Sequence, residues 1–247
     1  MHWQVMIDAN GRPGAWNMAL DVELLEDAAR TGQATLRLYG WSPACLSFGR
    51  NEPALTRYDR AEIGRRGWDV VRRPTGGRAV WHEQEVTYAV AAPIDAFGSL
   101  QQSYCTIHER LAGALRTLGV PAQLAAKNGP PAGLGAGACF ASPVGGEVVV
   151  HGRKVIGSAQ VRLGSAFLQH GSILLGGTQE VINAVSLQLT AVSSATSLSQ
   201  VLRRTVTFEE VADAIVTIWS PGFTSTVPCR PLPSPTVFSD PSWTWRR

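Results

Sequence analysis

Two side chains in the stretch GAGACFASPVGGEVVVHGRKVIGSAQVR, Gly135 to Arg162, are placed so that they could share a reaction. Cys139 sits among small residues, fifteen positions before Lys154. A cysteine acts as a nucleophile through its thiolate, which needs partial exposure and a positive neighbour. Lys154 is the natural neighbour, because Val155, Ile156 and Ala159 around it read as a buried strand and lysine is rarely buried without a purpose. Both residues also have plainer readings, an inert cysteine and an edge-strand lysine that discourages aggregation. His170 falls on the following strand. If LGS (163–165) is a three-residue loop that pairs Arg162 with Ala166, Ser158 faces His170 and Lys154 shares that face; a two-residue loop turns His170 away.

The second stretch is RRPTGGRAVWH. Arg72 and Arg73 end a strand, Pro74 stops helix formation, and Gly76 and Gly77 allow a ligand close to the backbone with free amide N–H groups in reach. That chemistry suits a carboxylate, a phosphate or an acyl carbonyl. A plain strand-to-strand turn uses the same residues, and His82 alone reads as structural. The neighbouring VTYAVAA and AVW would supply apolar walls for a ligand tail.

These residues need a scaffold of short alternating elements. WQVMIDA reads as an opening strand, and MALDVELLEDAAR as a helix with Met18, Val22, Leu25 and Ala29 on one face. ATLRLYGW, CLSFGR, WDVVRR and VTYAVAAP read as strands, with a short helix at DRAEIGRRG and a loop over PTGGRAVWHEQE. The longest helix is expected from Leu100 to Leu118, its stripe carried by Leu100, Tyr104, Ile107, Leu111, Leu115 and Leu118. EVVVHGRKVIGSAQ and AFLQHGSILLG follow as strands with turns at His151-Gly152 and Leu163-Gly164. A helix from Phe208 to Trp219 precedes a proline-rich tail expected to lie extended on the surface. The fold class is therefore α/β or α+β with a mostly antiparallel sheet.

Composition removes several functions. The chain has 247 residues, 45% of them apolar and 17% charged, enough for one large core in one or two domains. Its 22 basic and 19 acidic residues leave +3 without a dense Lys/Arg block, which argues against nucleic acid and leaves an acidic protein partner open. No apolar run reaches the roughly 18 residues of a membrane helix, and the first residues lack a leader pattern, so a cytoplasmic location is expected. Cys45, Cys105, Cys139 and Cys229 form no CxxC, so neither a metal cluster nor a disulfide framework is expected. Cys105 lies three residues before His108 on the long helix, a spacing that brings side chains together.

VRRPTGGRAVWHEQEVTYAV, ACF and GRKVIGSAQVR…LQHGSILL together resemble the LipM-type octanoyltransferases of lipoate assembly, within the biotin/lipoate protein ligase superfamily. The likeness covers roughly residues 1–220, read as one catalytic domain followed by the tail 221–247. It implies an α+β fold with a larger mixed sheet flanked by helices and a smaller sheet beside it. It implies transfer of octanoyl from acyl carrier protein to a lysine of a lipoyl domain, in the H protein or an E2 subunit, with no membrane and no cofactor. Cys139 matches the nucleophile that holds octanoyl as a thioester, and Lys154 the lysine at the acyl carbonyl. Arg72, Arg73, Thr75, Gly76, Gly77, His82, Gly157, Ser158, Ala159 and His170 match the substrate-binding positions. Arg65, Arg66 and Arg72 are expected on the surface as docking points for an acidic carrier.

Neighbouring families fit less well. ATP-dependent lipoate ligases usually carry a third glycine where this chain has Arg78, and often an added C-terminal domain. The other octanoyltransferase type has its cysteine downstream of the HG strand, where HGSILLGGTQEVINAVS has none. Biotin ligases would show a GRGRRG-like loop, which is absent. The remaining rivals are an amidotransferase that moves octanoyl between lipoyl domains and a silent acyl-binding module.

Overall fold

A computed structural model describes residues 3–126, 145–188, 194–219, 223–228 and 237–246. Twelve strands are described: β1 (Trp3–Arg12), β2 (Ala34–Trp41), β3 (Cys45–Phe48), β4 (Asp69–Arg72), β5 (Val80–His82), β6 (Glu85–Pro93), β7 (Gln123–Leu124), β8 (Val148–Val150), β9 (Arg153–Lys154), β10 (Ile156–Leu163), β11 (Ala166–Leu174) and β12 (Phe223–Thr226). The main sheet runs β10-β11-β6-β2-β1-β12. It is antiparallel from β10 to β2 and parallel from β2 through β1 to β12, so the sheet is mixed, as the family likeness implied. Two three-stranded sheets, β4-β3-β5 and β7-β8-β9, accompany it where one small sheet was expected. VWH, read as loop, is the short strand β5, held by antiparallel pairing with β3.

The alternation of strand side chains explains why β6 is apolar at nearly every position: Ala89 and Ala91 join the cluster under helix Gly14–Thr31, and Tyr88, Val90 and Ala92 the cluster under helices Leu100–Thr117 and Phe208–Trp219. Helix Leu100–Thr117 begins at a Ser99/Gln102 capping box and buries Ile107, Leu111 and Leu115 of its expected stripe. Helix Phe208–Trp219 has the expected bounds.

Three local expectations shift. Helix Gly14–Thr31 buries Met18 and Leu25 but leaves Val22 and Ala29 half-buried, and turns Asn17, Asp21, Leu24 and Ala28 inward instead. The cause is polar. Arg37, fully buried in β2, donates from Nη1 to Asp21 Oδ1 at 2.7 Å and from Nη2 to Asn17 Oδ1 at 2.6 Å. The second shift is one of register. Leu163 pairs with Ala166, so the β10–β11 loop is the two residues Gly164-Ser165, and His170 lies opposite Ala159 while Ser158 lies opposite Gly171. His170 and Ser158 therefore point to opposite faces, and the shared face with Lys154 is not formed.

The tail is the third. Its described end is a short 3₁₀ turn, Val237–Ser239, and a helical turn, Pro241–Thr244, with Phe238 and Thr244 buried. Arg72 holds it. This arginine is 0% exposed, not a surface residue, and donates from Nε to Trp243 O (3.0 Å) and Thr244 O (3.1 Å) and from Nη2 to Arg246 O (2.7 Å). Its Nη1 serves Gly49 O and Glu52 O, both at 2.8 Å, and Arg50 O at 3.2 Å. Arg65 and Arg66 are exposed as expected, and both pair with Glu62.

Six carbonyls share one guanidinium that a lysine ammonium cannot replace geometrically. Arg72→Lys is expected to lower unfolding free energy by at least about 3 kcal/mol, since buried carbonyls left unpaired cost ~1–3 kcal/mol each. Urea unfolding checks this, and a loss under about 1 kcal/mol would show that the tail does not depend on the residue. A second outcome concerns His108, wholly buried on the long helix. Burial first, and the nearby Lys154 charge, push its pKa down to about 4, against a raising hydrogen bond to Gly146 O. The unfolded chain binds this proton near pH 6.5 and the folded chain only near 4, so its contribution is complete above 6.5 and is lost as pH falls towards 4. The expected loss is about 3 kcal/mol, and His108→Leu should flatten stability over that window.

Candidate active site

A cleft of about 390 Å³, part of it open to solvent, lies where the main sheet meets the β4-β3-β5 sheet. Of the residues singled out from sequence, Arg73, His82, Gly157, Ser158, Ala159 and His170 line it, joined by Met18, Tyr39, Trp41, Val80, Thr87, Gly171 and Ser172.

Asp21 organises one side. It accepts from Arg37, from Tyr39 Oη at 2.9 Å and from His170 Nδ1 at 2.8 Å. Burial alone would raise the Asp21 pKa, but the His170 hydrogen bond and the Arg37 charge outweigh it and hold the carboxyl below its ordinary value. Arg37 also lies over the Tyr39 ring at 3.7 Å. At its other nitrogen, His170 Nε2 meets the Thr75 hydroxyl at 2.7 Å, so Thr75 stands directly behind the wall.

Glu85 organises the other side. Its Oε1 accepts from His82 Nδ1 at 2.7 Å, from Ser172 Oγ at 3.1 Å and from Thr87 Oγ1, while Trp41 Nε1 donates to Thr87 Oγ1 at 2.7 Å. His82 Nε2 takes the Ser47 hydroxyl at 2.5 Å, and Arg73 Nη1 donates to Ser47 O (3.0 Å) and Ser47 Oγ (2.5 Å). Burial lowers the His82 pKa despite the raising effect of Glu85, so the ring is neutral at neutral pH with Nδ1 protonated. The Trp41 indole stacks on it, centroids 4.0 Å apart.

The glycine pair reaches this site indirectly. Gly76 and Gly77 are exposed, and Arg73 Nη2 donates to Gly76 O at 3.2 Å and Arg78 O at 2.7 Å. Gly77 takes φ +91, and its carbonyl packs so close to Gly49 that a Cβ there would come within 1.9 Å. Arg72 faces the tail. Lys154 belongs to the β7-β8-β9 sheet; its side chain is buried and donates from Nζ to Glu147 Oε1 at 2.6 Å. Cys139 and Cys229 lie outside the described residues. Cys45 is fully buried, which pushes its thiol pKa well up, and Cys105 is half-buried.

Asp21, Arg37, Glu85 and Trp41 were not anticipated as parts of the site. Two of them left a trace: Arg37 interrupts the apolar ATLRLYGW, and Asp21 lies one position from the expected apolar face of its helix.

Comparison with known proteins agrees with this architecture. The LipM octanoyltransferase of Kyrpidia tusciae is 42% identical over 193 residues, 74% of this chain and 69% of that protein. The LipM octanoyltransferase of Symbiobacterium thermophilum is 36% identical over 231 residues, 86% of this chain and 83% of that one. In structure, a bi-partite lipoate protein ligase from Thermoplasma acidophilum superposes with a TM-score of 0.76 at 17% identity, covering 99% of this chain and 96% of that one, which is likeness of fold. The model of the lipoyl protein ligase A/B catalytic domain matches residues 13–219, and with these relatives it shows that the chain belongs to that family, among its octanoyltransferases.

Proposed function

We propose that the chain moves an octanoyl group from an acyl carrier protein to a lysine of a lipoyl domain, with Cys139 as the transient acyl acceptor. The observation that carries the reading is the cleft, where six of the ten predicted substrate-binding residues meet and their side-chain donors turn into the protein, leaving a wall suited to an alkyl chain. The Cys139 thiolate attacks the carrier's thioester carbonyl and the carrier's thiol leaves with a proton. The lysine amine then attacks the Cys139 thioester, an amide forms, the amine proton is released, and the thiolate returns. Exchange of one thioester for another is nearly balanced, so no nucleotide is consumed.

In this reading Lys154 supplies positive charge to the thiolate and to the acyl carbonyl, and Glu147 fixes the Lys154 side chain. Residues 1–220 are the catalytic domain and 221–247 an appended segment. Arg65 and Arg66 face an acidic carrier, and the enzyme works in the cytoplasm; no helix among the described residues is long and apolar enough to cross a membrane.

Mass spectrometry after mixing with octanoyl carrier protein, without ATP, tests the nucleophile. An octanoyl adduct labile to hydroxylamine is expected on Cys139 and is lost in Cys139→Ser, while Cys105→Ser, Cys229→Ser and, because that site is buried, Cys45→Ala keep it. An adduct that persists in Cys139→Ser and disappears in Cys105→Ser moves the nucleophile to the long helix. A requirement for ATP and magnesium with free octanoate, the carrier being inert, replaces transfer by ligation.

Lys154 is tested by single-turnover acylation and transfer. Lys154→Ala is expected to slow both steps on the order of a hundredfold or more, by analogy with removal of one oxyanion donor, and Lys154→Arg is expected not to restore them. Removing one partner of a buried ion pair also costs about 3–5 kcal/mol of stability. The double variant Lys154→Met/Glu147→Leu, with no unpaired charge, should therefore fold and still fail to transfer. Wild-type rates in that variant would leave the ion pair a purely structural role.

A further inference from the structure

A wall this rich in polar residues would ordinarily offer hydrogen bonds to a ligand. Here the side-chain donors are taken: Tyr39 and His170 donate to Asp21, His82 and Ser172 to Glu85, Thr87 also to Glu85, and Trp41 to Thr87. Both terminal nitrogens of Arg73 go to Ser47, Gly76 and Arg78. Ser158 is the remaining hydroxyl, and its side chain points to the face of the sheet opposite His170, where its Oγ lies 2.6 Å from Tyr88 Oη and 2.8 Å from His108 Nε2. It adds no donor to the cleft wall beside His170.

We propose that this wall is a polarity filter: the cleft takes an unsubstituted alkyl chain and rejects a chain that carries a carbonyl oxygen, with the Asp21 and Glu85 carboxylates, which hold the wall's donors, as the residues that set the selectivity. This rests on the acyl-binding reading of the cleft. A ketone oxygen entering the cleft gives up its water and meets side chains whose donors are already committed, and an unsatisfied buried acceptor is what makes such a mismatch expensive.

Isothermal titration of the full chain with octanoate and with 7-oxooctanoate tests the filter. Octanoate is expected to bind at least about tenfold more tightly than the ketone. Val80→Thr adds an uncommitted hydroxyl to the wall and should narrow the gap at least threefold by tightening 7-oxooctanoate. Equal affinity of the two acids for the wild type overturns the filter. A gap unchanged in a Val80→Thr variant that still binds octanoate shows that exclusion has another origin and overturns the assignment to committed donors. Absence of octanoate binding to the wild type overturns the acyl reading of the cleft itself, and the filter with it.

Discussion

Two buried carboxylates hold this site together. Asp21 and Glu85 stand on either side of the cleft and accept the hydrogen bonds of its histidines, hydroxyls and the Tyr39 phenol. A carboxylate out of water is expensive unless several donors surround it. Here the same donors solve two problems. They stabilise the charges, and in doing so they are withdrawn from the cleft, so a wall built of Tyr, Trp, His, Thr and Ser presents ring faces and carbon edges.

The same contacts tie separate parts of the chain to one another. Asp21 comes from the first long helix, Arg37 from β2, His170 from β11, and Thr75 from the loop after β4. Glu85 at the start of β6 reaches the small sheet through His82 of β5, which in turn takes the hydroxyl of Ser47 in β3. The cleft is thus bounded by two sheets whose relative position is set by directional bonds between buried groups. Apolar packing by itself tolerates sliding; a histidine with a fixed acceptor at one nitrogen and a hydroxyl at the other does not.

Arg72 does comparable work for the outer shell. By gathering carbonyls from residues 49–52 and from 243–246, it fastens the end of the chain beside the small sheet that carries Arg73 and Ser47. Adjacent arginines in one motif therefore have different duties, Arg72 binding the tail and Arg73 bracing the loop at the cleft.

What the sequence determined by itself was local. Periodicity is a property of neighbouring residues, so β6, the helix Phe208–Trp219, the helix after Ser99 and the turn at His151-Gly152 were all legible; Arg73, His82, Gly157, Ser158, Ala159 and His170, drawn from two separate motifs, line one cleft. Tertiary structure decided the partners. Asp21 and His170 are 149 residues apart, and nothing local to either announces the other. One residue of loop length between β10 and β11 turned His170 away from Ser158 and towards Asp21, because side chains in a strand alternate and a shift of one exchanges the faces. Burial of Arg72 and the rotation of the first helix towards Arg37 have the same origin: a buried charge must be met by whatever groups the fold brings within about 3 Å of it, and that proximity is created by the packing of distant segments.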